Sequence, residues 1–171
     1  MIIKGKAMVL GDNVSTDHII AGKYCRLADV TELARHLFEG TKAQNRVGGG
    51  TILVAGKCFG CGSSREQAPL ALKAAGVRAV LAESFGRIFY RNAINIGLPA
   101  LILRKATVFA SDGAELELDL ERGEVRNNRG QTARTAPHPP FMVEILRAGG
   151  LVPYIRAKGA SMEARSEKGG T

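Results

Sequence analysis

In a chain of 171 residues, the run Cys58-Phe59-Gly60-Cys61-Gly62-Ser63-Ser64-Arg65 gathers the side chains best able to do chemistry. Two hydroxyls and a guanidinium follow directly on glycines, which permit backbone conformations and close approaches that a side chain would block. Before them, Thr51-Ile52-Leu53-Val54-Ala55 is the β-branched, apolar run of a buried strand. After them, an Ala- and Leu-rich segment reads as a helix ending at Ala75. A glycine loop between a strand end and a helix start presents unpaired backbone N–H groups and the positive end of the helix dipole. The expected ligand is a small anion. The alternative is a plain glycine-rich turn with serine caps, because Ser63 with Glu66 and Ser64 with Gln67 both have capping-box spacing. Pro69 bears on where the helix starts, since proline is comfortable only in a first turn. No Gly-Lys-Ser/Thr follows the loop, and Gly-x-Gly-x-x-Gly order is absent, which sets aside Walker and dinucleotide-binding turns.

Cys58 and Cys61 have the spacing of a redox pair or of half a metal site. No second pair at zinc spacing accompanies them, because Cys25, His18, His36 and His138 are isolated. A thioredoxin-type pair would open its helix directly, whereas residues 62–64 intervene here. Packing thiols in a tight loop is the expectation, with oxidation sensitivity left open. Asp17, after Ser15 and Thr16, is either a capping or Asx-turn aspartate or a carboxylate that orients a group in a site.

These residues need a scaffold, and composition allows one. Hydrophobic content of 45% and charged content of 23% describe an ordinary globular chain, long enough for one domain with a real core. No apolar stretch reaches membrane-span length, and the N-terminal MIIKGKAMVLGD lacks the features of a secretory signal, so a cytoplasmic location is expected. The formal charge of +8 points to anionic substrates or an acidic partner. Nucleic acid is disfavoured, because the basic residues are scattered and aromatics make up only 5%.

Residues 2–10 read as a strand, 32–39 as a helix capped by Asp29 or Thr31, and 40–50 as a glycine-rich mobile loop. A second buried strand over 77–82, a helix from a Ser84 cap through Ile96 closed by Gly97, and a strand over 98–103 follow. That order predicts right-handed crossovers in a largely parallel sheet, with the site at the carboxyl ends of its strands. Strict alternation over 115–120 and a return over 124–127 predict an antiparallel meander with one wet face. A short helix over 141–148 and a last apolar element over 151–155 complete one domain, residues 1–157. The polar tail, 158–171, is expected to lack structure.

Three blocks together resemble the aconitase superfamily. They are Asp12-Asn-Val-Ser-Thr-Asp-His-Ile-Ile20, residues 56–69 with their Gly-Ser-Ser-Arg-Glu, and Ser84-Phe-Gly-Arg-Ile-Phe-Tyr-Arg-Asn-Ala-Ile-Asn-Ile-Gly-Leu-Pro99. Residues 141–154 resemble the same family's C-terminal helix and strand. More narrowly, residues 5 to 156 are similar to the free-standing small subunits of 3-isopropylmalate dehydratases (isopropylmalate isomerases). The resemblance implies an α/β fold, the swivelling β/β/α domain like the mobile C-terminal domain of aconitase. It also implies a hydro-lyase of leucine biosynthesis that moves a hydroxyl between adjacent carbons by dehydration and rehydration. Activity would require a large subunit, in a heterodimer or heterotetramer, whose cysteines hold a [4Fe-4S] cluster. Cys58 and Cys61 would then not be cluster ligands.

Carried over by position, Ser63 resembles the serine that removes the proton next to a carboxylate, and Asp17 matches the active-site aspartate. Arg65 joins them in the catalytic group, and Arg65, Ser64 and Gly62 match contacts to the substrate. Cluster iron would act as a Lewis acid on the leaving hydroxyl. Arg26 lies in the loop where this family reads the distinguishing group of the substrate. Apolar side chains there suit an isopropyl group, whereas a cation favours the extra carboxylate of homocitrate or homoaconitate. Tyr24-Cys25-Arg26-Leu27 has both characters, so a homoaconitase or methylmalate-type small subunit is the alternative. Gln67 replaces a histidine often found at its position. A stand-alone anion-binding module and a thiol-based redox protein are the readings from other classes.

Overall fold

Strand β2 (Thr51–Ala55) can be β-branched and apolar throughout because both its faces are covered, and all five of its residues are buried. The computed structural model describes residues 1–168, with side-chain surroundings through residue 160. β2 lies between β1 (Ile2–Val9) and β3 (Ala79–Ala82), parallel to both, and β4 (Ala100–Ile102) extends the parallel set beyond β3. Past β1 the sheet becomes antiparallel through β5 (Glu115–Asp119), β6 (Glu124–Asn127) and β7 (Thr132–Arg134). The strand order is β4-β3-β2-β1-β5-β6-β7. The expected parallel sheet and meander are therefore one mixed sheet joined at β1.

Alternate residues of the central strands feed two cores. Met8, Leu53, Ala55, Val80 and Ala82 face α1 (Thr16–Ile19), α2 (Val30–Arg35), α3 (Gln67–Ala74) and α4 (Arg87–Asn95), packing with Ile19, Leu33, Leu72 and Phe89. Ile52, Val54, Ala79 and Leu81 face the other way, toward α5 (Ala106–Phe109), α6 (Pro140–Arg147) and the meander's Leu116, Leu118 and Val125. No helix among the described residues is long and apolar enough to cross a membrane.

Several boundaries differ from expectation, for identifiable reasons. α2 is capped by Asp29, whose carboxylate accepts from the Thr31 N–H at 2.8 Å, but it stops at Arg35 and leaves Phe38 at φ 56°. Ser84 does not cap α4: its hydroxyl accepts from the Cys58 N–H, and Gly86 takes the cap position. Residues 151–155 are not a strand. They open α7 (Leu151–Lys168), so residues 158–168, expected to lack structure, are helical, while 169–171 lie outside the described residues. α7 is tied to α6 where the Tyr154 hydroxyl donates to Glu144 at 2.9 Å and Lys158 pairs with the same carboxylate.

His138 sits in the chain entering α6, buried, and its Nε2 has no hydrogen-bond partner among the described residues. Burial pushes its imidazole below the ordinary value, offset in part by a hydrogen bond to the Ala100 backbone. The unfolded imidazole takes a proton at about pH 6.5, and the folded one only at lower pH. Stability is therefore fully present above that pH and falls as pH drops toward the folded value. The urea midpoint is expected to decline from pH 7.5 to 5.5, and His138→Gln, which cannot charge, is expected to lose less over that interval.

Candidate active site

Three loops meet at the carboxyl edge of β1, β2 and β3. The central one, residues 56–66, is stitched to the β1 loop through Asn13 N–H to Lys57 O (2.8 Å), Gly60 N–H to Val14 O (2.7 Å) and Thr16 N–H to Cys61 O (2.8 Å). On its other side Phe59 N–H donates to Ser84 O and Gly86 N–H to Phe59 O, binding the β3 loop. The Gly-Ser-Ser-Arg loop lies at the strand ends, where the sequence places it.

Glycine is required here at two points. Gly60 has φ 72°, and a Cβ on it would lie 2.2 Å from the Phe89 ring; one on Gly86 would lie 2.4 Å from the Gly60 carbonyl oxygen. Gly60→Ala combines a left-handed backbone with overpacking and is expected to cost roughly 3 kcal/mol. Gly48→Ala, where the space is open and φ is ordinary, serves as the control and should stay within about 0.5 kcal/mol in urea unfolding.

Neither serine caps α3. The cap position is Glu66, without a side-chain bond, and the first helical bond runs from Leu70 N–H to Glu66 O. Pro69 explains this. Starting the helix at Ser63 or Ser64 would place a residue without an N–H where an intrahelical bond is due, whereas starting at Glu66 puts it in the first turn. Ser63 and Ser64 are thereby left exposed, following Gly62 at φ 99°. Ser64's hydroxyl has no hydrogen bond among the described residues.

Asp17 does not cap α1 either. Ser15 does, accepting from His18 N–H at 3.1 Å while His18 Nδ1 accepts from Ser15 N–H. Asp17 is thus free to reach Arg65, with Oδ1 at 2.5 Å from Nη1. The same Nη1 donates to Ile20 O at 3.1 Å, and Gly22 packs against the guanidinium, where a Cβ would lie 3.2 Å from Nη2. Nη1 is thus engaged by Asp17 and Ile20, while Nη2 and Nε have no acceptor among the described residues. That unused edge fits a carboxylate.

Thr16 is a residue that the sequence reading passed over. It is 1% exposed, its hydroxyl donates to Ser63 O at 3.1 Å, and it stands 3.4 Å from Ser63 Oγ. Its burial between half-buried Ser15 and exposed Asp17 is set by the α1 turn, and the polar run Ser15-Thr16-Asp17 was the only hint. Gln67 ties the next loop in by donating to Cys25 O at 3.2 Å. Arg26, on that loop, is exposed and makes no hydrogen bond or ion pair among the described residues. Beside it Tyr24 stacks on His36 at 3.7 Å, and hydrogen bonds from Tyr24 and Lys23 hold the Glu39 carboxyl down to about 2.

The donor set does not fit an iron–sulfur cluster on this chain. Such clusters take three or four cysteine thiolates, and no group of three or more His, Cys, Asp or Glu residues among those described is arranged around a metal position. The two thiols beside Ser63 lie in a tight loop but do not pack there as the sequence suggests: Cys58 is exposed and Cys61 half-buried.

A mixed sheet with a Gly-Ser-Ser-Arg loop at its parallel strand ends is the architecture of the aconitase C-terminal domain. The family described as the aconitase C-terminal domain matches residues 16–106. The 3-isopropylmalate dehydratase small subunit of Moorella thermoacetica is 52% identical over 92% of this chain and 97% of its own length. The methanogen homoaconitase small subunit of Methanothermobacter thermautotrophicus is 53% identical over 88% of this chain and 89% of its own. The crystal structure of 3-isopropylmalate dehydratase from Methanocaldococcus jannaschii superposes with a TM-score of 0.88 at 44% identity, covering 96% of this chain and 99% of that one. The chain belongs to the aconitase superfamily, in the family of 3-isopropylmalate dehydratase small subunits.

Proposed function

We propose that the chain is the small subunit of a two-subunit hydro-lyase that interconverts 2-isopropylmalate and 3-isopropylmalate by dehydration and rehydration, a step of leucine biosynthesis. The observation that carries this reading is the pairing of an exposed Ser63 that caps no helix with an Arg65 whose free edge faces no acceptor among the described residues. Arg65, with Ser64 and the backbone at Gly62, holds a substrate carboxylate, and Asp17 fixes the guanidinium in place. Ser63 Oγ takes the proton from the carbon next to that carboxylate. Its oxygen must then carry negative charge, which the Arg65 cation and the nearby helix N-terminus favour. Thr16 acts as a positioning residue, since its hydroxyl hydrogen lies between two Ser63 oxygens and can turn toward Oγ as charge builds there.

The site is an open shelf, and proton removal from carbon needs a surrounding that excludes water. A second surface must close over it, in keeping with a large-subunit partner that also carries the [4Fe-4S] cluster. That cluster would supply Lewis-acid assistance to the departing hydroxyl.

Arg26 favours a second reading. An exposed cation with no partner among the described residues, on the loop joined to Gln67 through Cys25, suits an additional substrate carboxylate, as in a homoaconitase. Anaerobic reconstitution with the large subunit, followed by initial rates on isopropylmalate, homoaconitate and citrate, separates the two. Turnover of isopropylmalate, with none by this chain alone, is the expected result. A preference for homoaconitate makes Arg26 the specificity residue, and no turnover of any of them returns the chain to an anion-binding module.

A further inference from the structure

Cys58 and Cys61 are not absorbed by the reaction above, yet the fold places them at the two ends of one tight turn directly before Gly62 and Ser63. Cys61 N–H donates to Cys58 O at 3.4 Å, and Gly60 occupies the third position at φ 72° while Phe59 keeps a negative φ. These are the marks of a type II turn, in which the outer Cα atoms lie less than about 7 Å apart. A disulfide spans Cα separations of about 4.4–6.8 Å, a range within reach of the two ends of such a turn. Cys58 is exposed and open to a reagent, and Cys61 is half-buried behind it. Cys58 also sits at φ 56°, a left-handed conformation that is strained for a non-glycine residue and that surrounding bonds must maintain. Those bonds are visible: the Cys58 N–H donates to Ser84 Oγ at 2.9 Å, and the flanking Lys57 N–H to Asp12 Oδ1 at 2.8 Å.

We propose that Cys58 and Cys61 form a reversible intramolecular disulfide that switches the adjacent Ser63 loop out of its working geometry. The reagent class is a low-molecular-weight disulfide such as oxidised glutathione. The Cys58 thiolate attacks one sulfur of the reagent, breaking its S–S bond and expelling one thiolate, which leaves a mixed disulfide on Cys58. The Cys61 thiolate then attacks the Cys58 sulfur, breaks the mixed disulfide and expels the second thiolate. Two protein thiols lose two electrons and two protons, and the reagent is reduced to two thiols. The consequence for the site follows from the contacts of Cys61. Its carbonyl accepts from Thr16 N–H at 2.8 Å, and the Thr16 hydroxyl touches both oxygens of Ser63. The disulfide fixes the torsions about both cysteines, and the backbone adjustment it imposes at Cys61 passes through that carbonyl to Thr16 and Ser63.

The switch rests on the catalytic role proposed for Ser63, but formation of the disulfide does not, and the experiment keeps the two apart. The small subunit is equilibrated in glutathione buffers from fully reduced to fully oxidised, then analysed by intact mass and peptide mapping. A monomer lighter by two hydrogens, linked between 58 and 61, is expected, persisting in Cys25→Ser and lost in Cys58→Ser and Cys61→Ser. Free thiols in the fully oxidised buffer, a link to Cys25, or intermolecular dimers alone would overturn the proposal. The oxidised subunit, freed of reagent, is then combined anaerobically with an untreated large subunit. Its initial rate is expected to fall at least tenfold and to recover with dithiothreitol, while Cys58→Ser taken through the same treatment keeps its rate. Full activity of the disulfide form would sink the switch. Because the large subunit never meets the oxidant, cluster damage cannot mimic the loss. An inactive reduced assembly would instead fault the assignment of the reaction.

Discussion

Ser63→Ala in the assembled enzyme is expected to lower kcat by about a thousandfold or more, with little change in KM for the hydroxy-dicarboxylate. A group that acts on the proton in transit contributes to the transition state and not to ground-state binding, so its loss falls on kcat. The structural side of the argument is that Ser63 has no other task. It caps no helix, is exposed, and among the described residues its side-chain oxygen meets only the Thr16 hydroxyl, at 3.4 Å. Removing it should leave the urea midpoint within about 0.5 kcal/mol of the parent. Thr16 provides the graded companion. Thr16→Val removes the hydrogen that can turn toward Ser63 Oγ, and kcat is expected to fall by roughly 10- to 100-fold, with recovery in Thr16→Ser. Cys58→Ser in reducing buffer should leave most of the activity. Equal losses for Ser63→Ala and Cys58→Ser would mean that the loop as a whole, and not the serine oxygen, carries the function.

The parts of this fold legible from sequence are those where local pattern and tertiary demand agree. The buried strands β2 and β3 could be read from continuous apolar runs, because two covered faces leave no position for a polar residue. The meander could be read from the alternation in Glu115–Asp119, because one of its faces is wet. The misreadings arose where one residue had two possible uses. Ser63, Ser64 and Ser84 all have capping spacing, and none caps a helix; Pro69 decides the first two cases, and the Cys58 N–H claims the third. Asp17 was undecided for the same reason until Ser15 took the cap. Residues 151–155 read as an apolar element, a strand by resemblance, and 158–171 as a tail because that stretch is polar and rich in glycine and charge, whereas the Tyr154 and Lys158 contacts to Glu144 are tertiary and invisible along the chain. The pairing of Arg65 with Asp17, forty-eight positions apart on the numbering, rests on loops from two parallel strands meeting at one edge, which spacing alone cannot reveal.

That pairing gives the second large effect. Arg65→Lys is expected to reduce kcat/KM by about a hundredfold, chiefly through KM, even though charge is retained. An ammonium is a single point with three hydrogens, whereas the guanidinium uses one nitrogen for Asp17 and Ile20 and still presents a second edge to the substrate. Lysine can serve the protein contacts or the ligand but not both in the same geometry. Asp17→Asn keeps an acceptor oxygen but weakens the hold on Nη1, and about a tenfold loss is expected. If Asp17 works by fixing Arg65, the double variant should lose little more than Arg65→Lys alone, and initial rates for the four proteins of this cycle measure that. Losses that simply add would make Asp17 an independent substrate contact. Stability provides the control that separates function from scaffolding. The Asp17 side chain is 56% exposed, and an ion pair so open to solvent contributes no more than about 1 kcal/mol to folding. Urea midpoints of Asp17→Asn should therefore stay close to the parent while turnover falls, as befits a carboxylate that holds a catalytic arginine and not the fold.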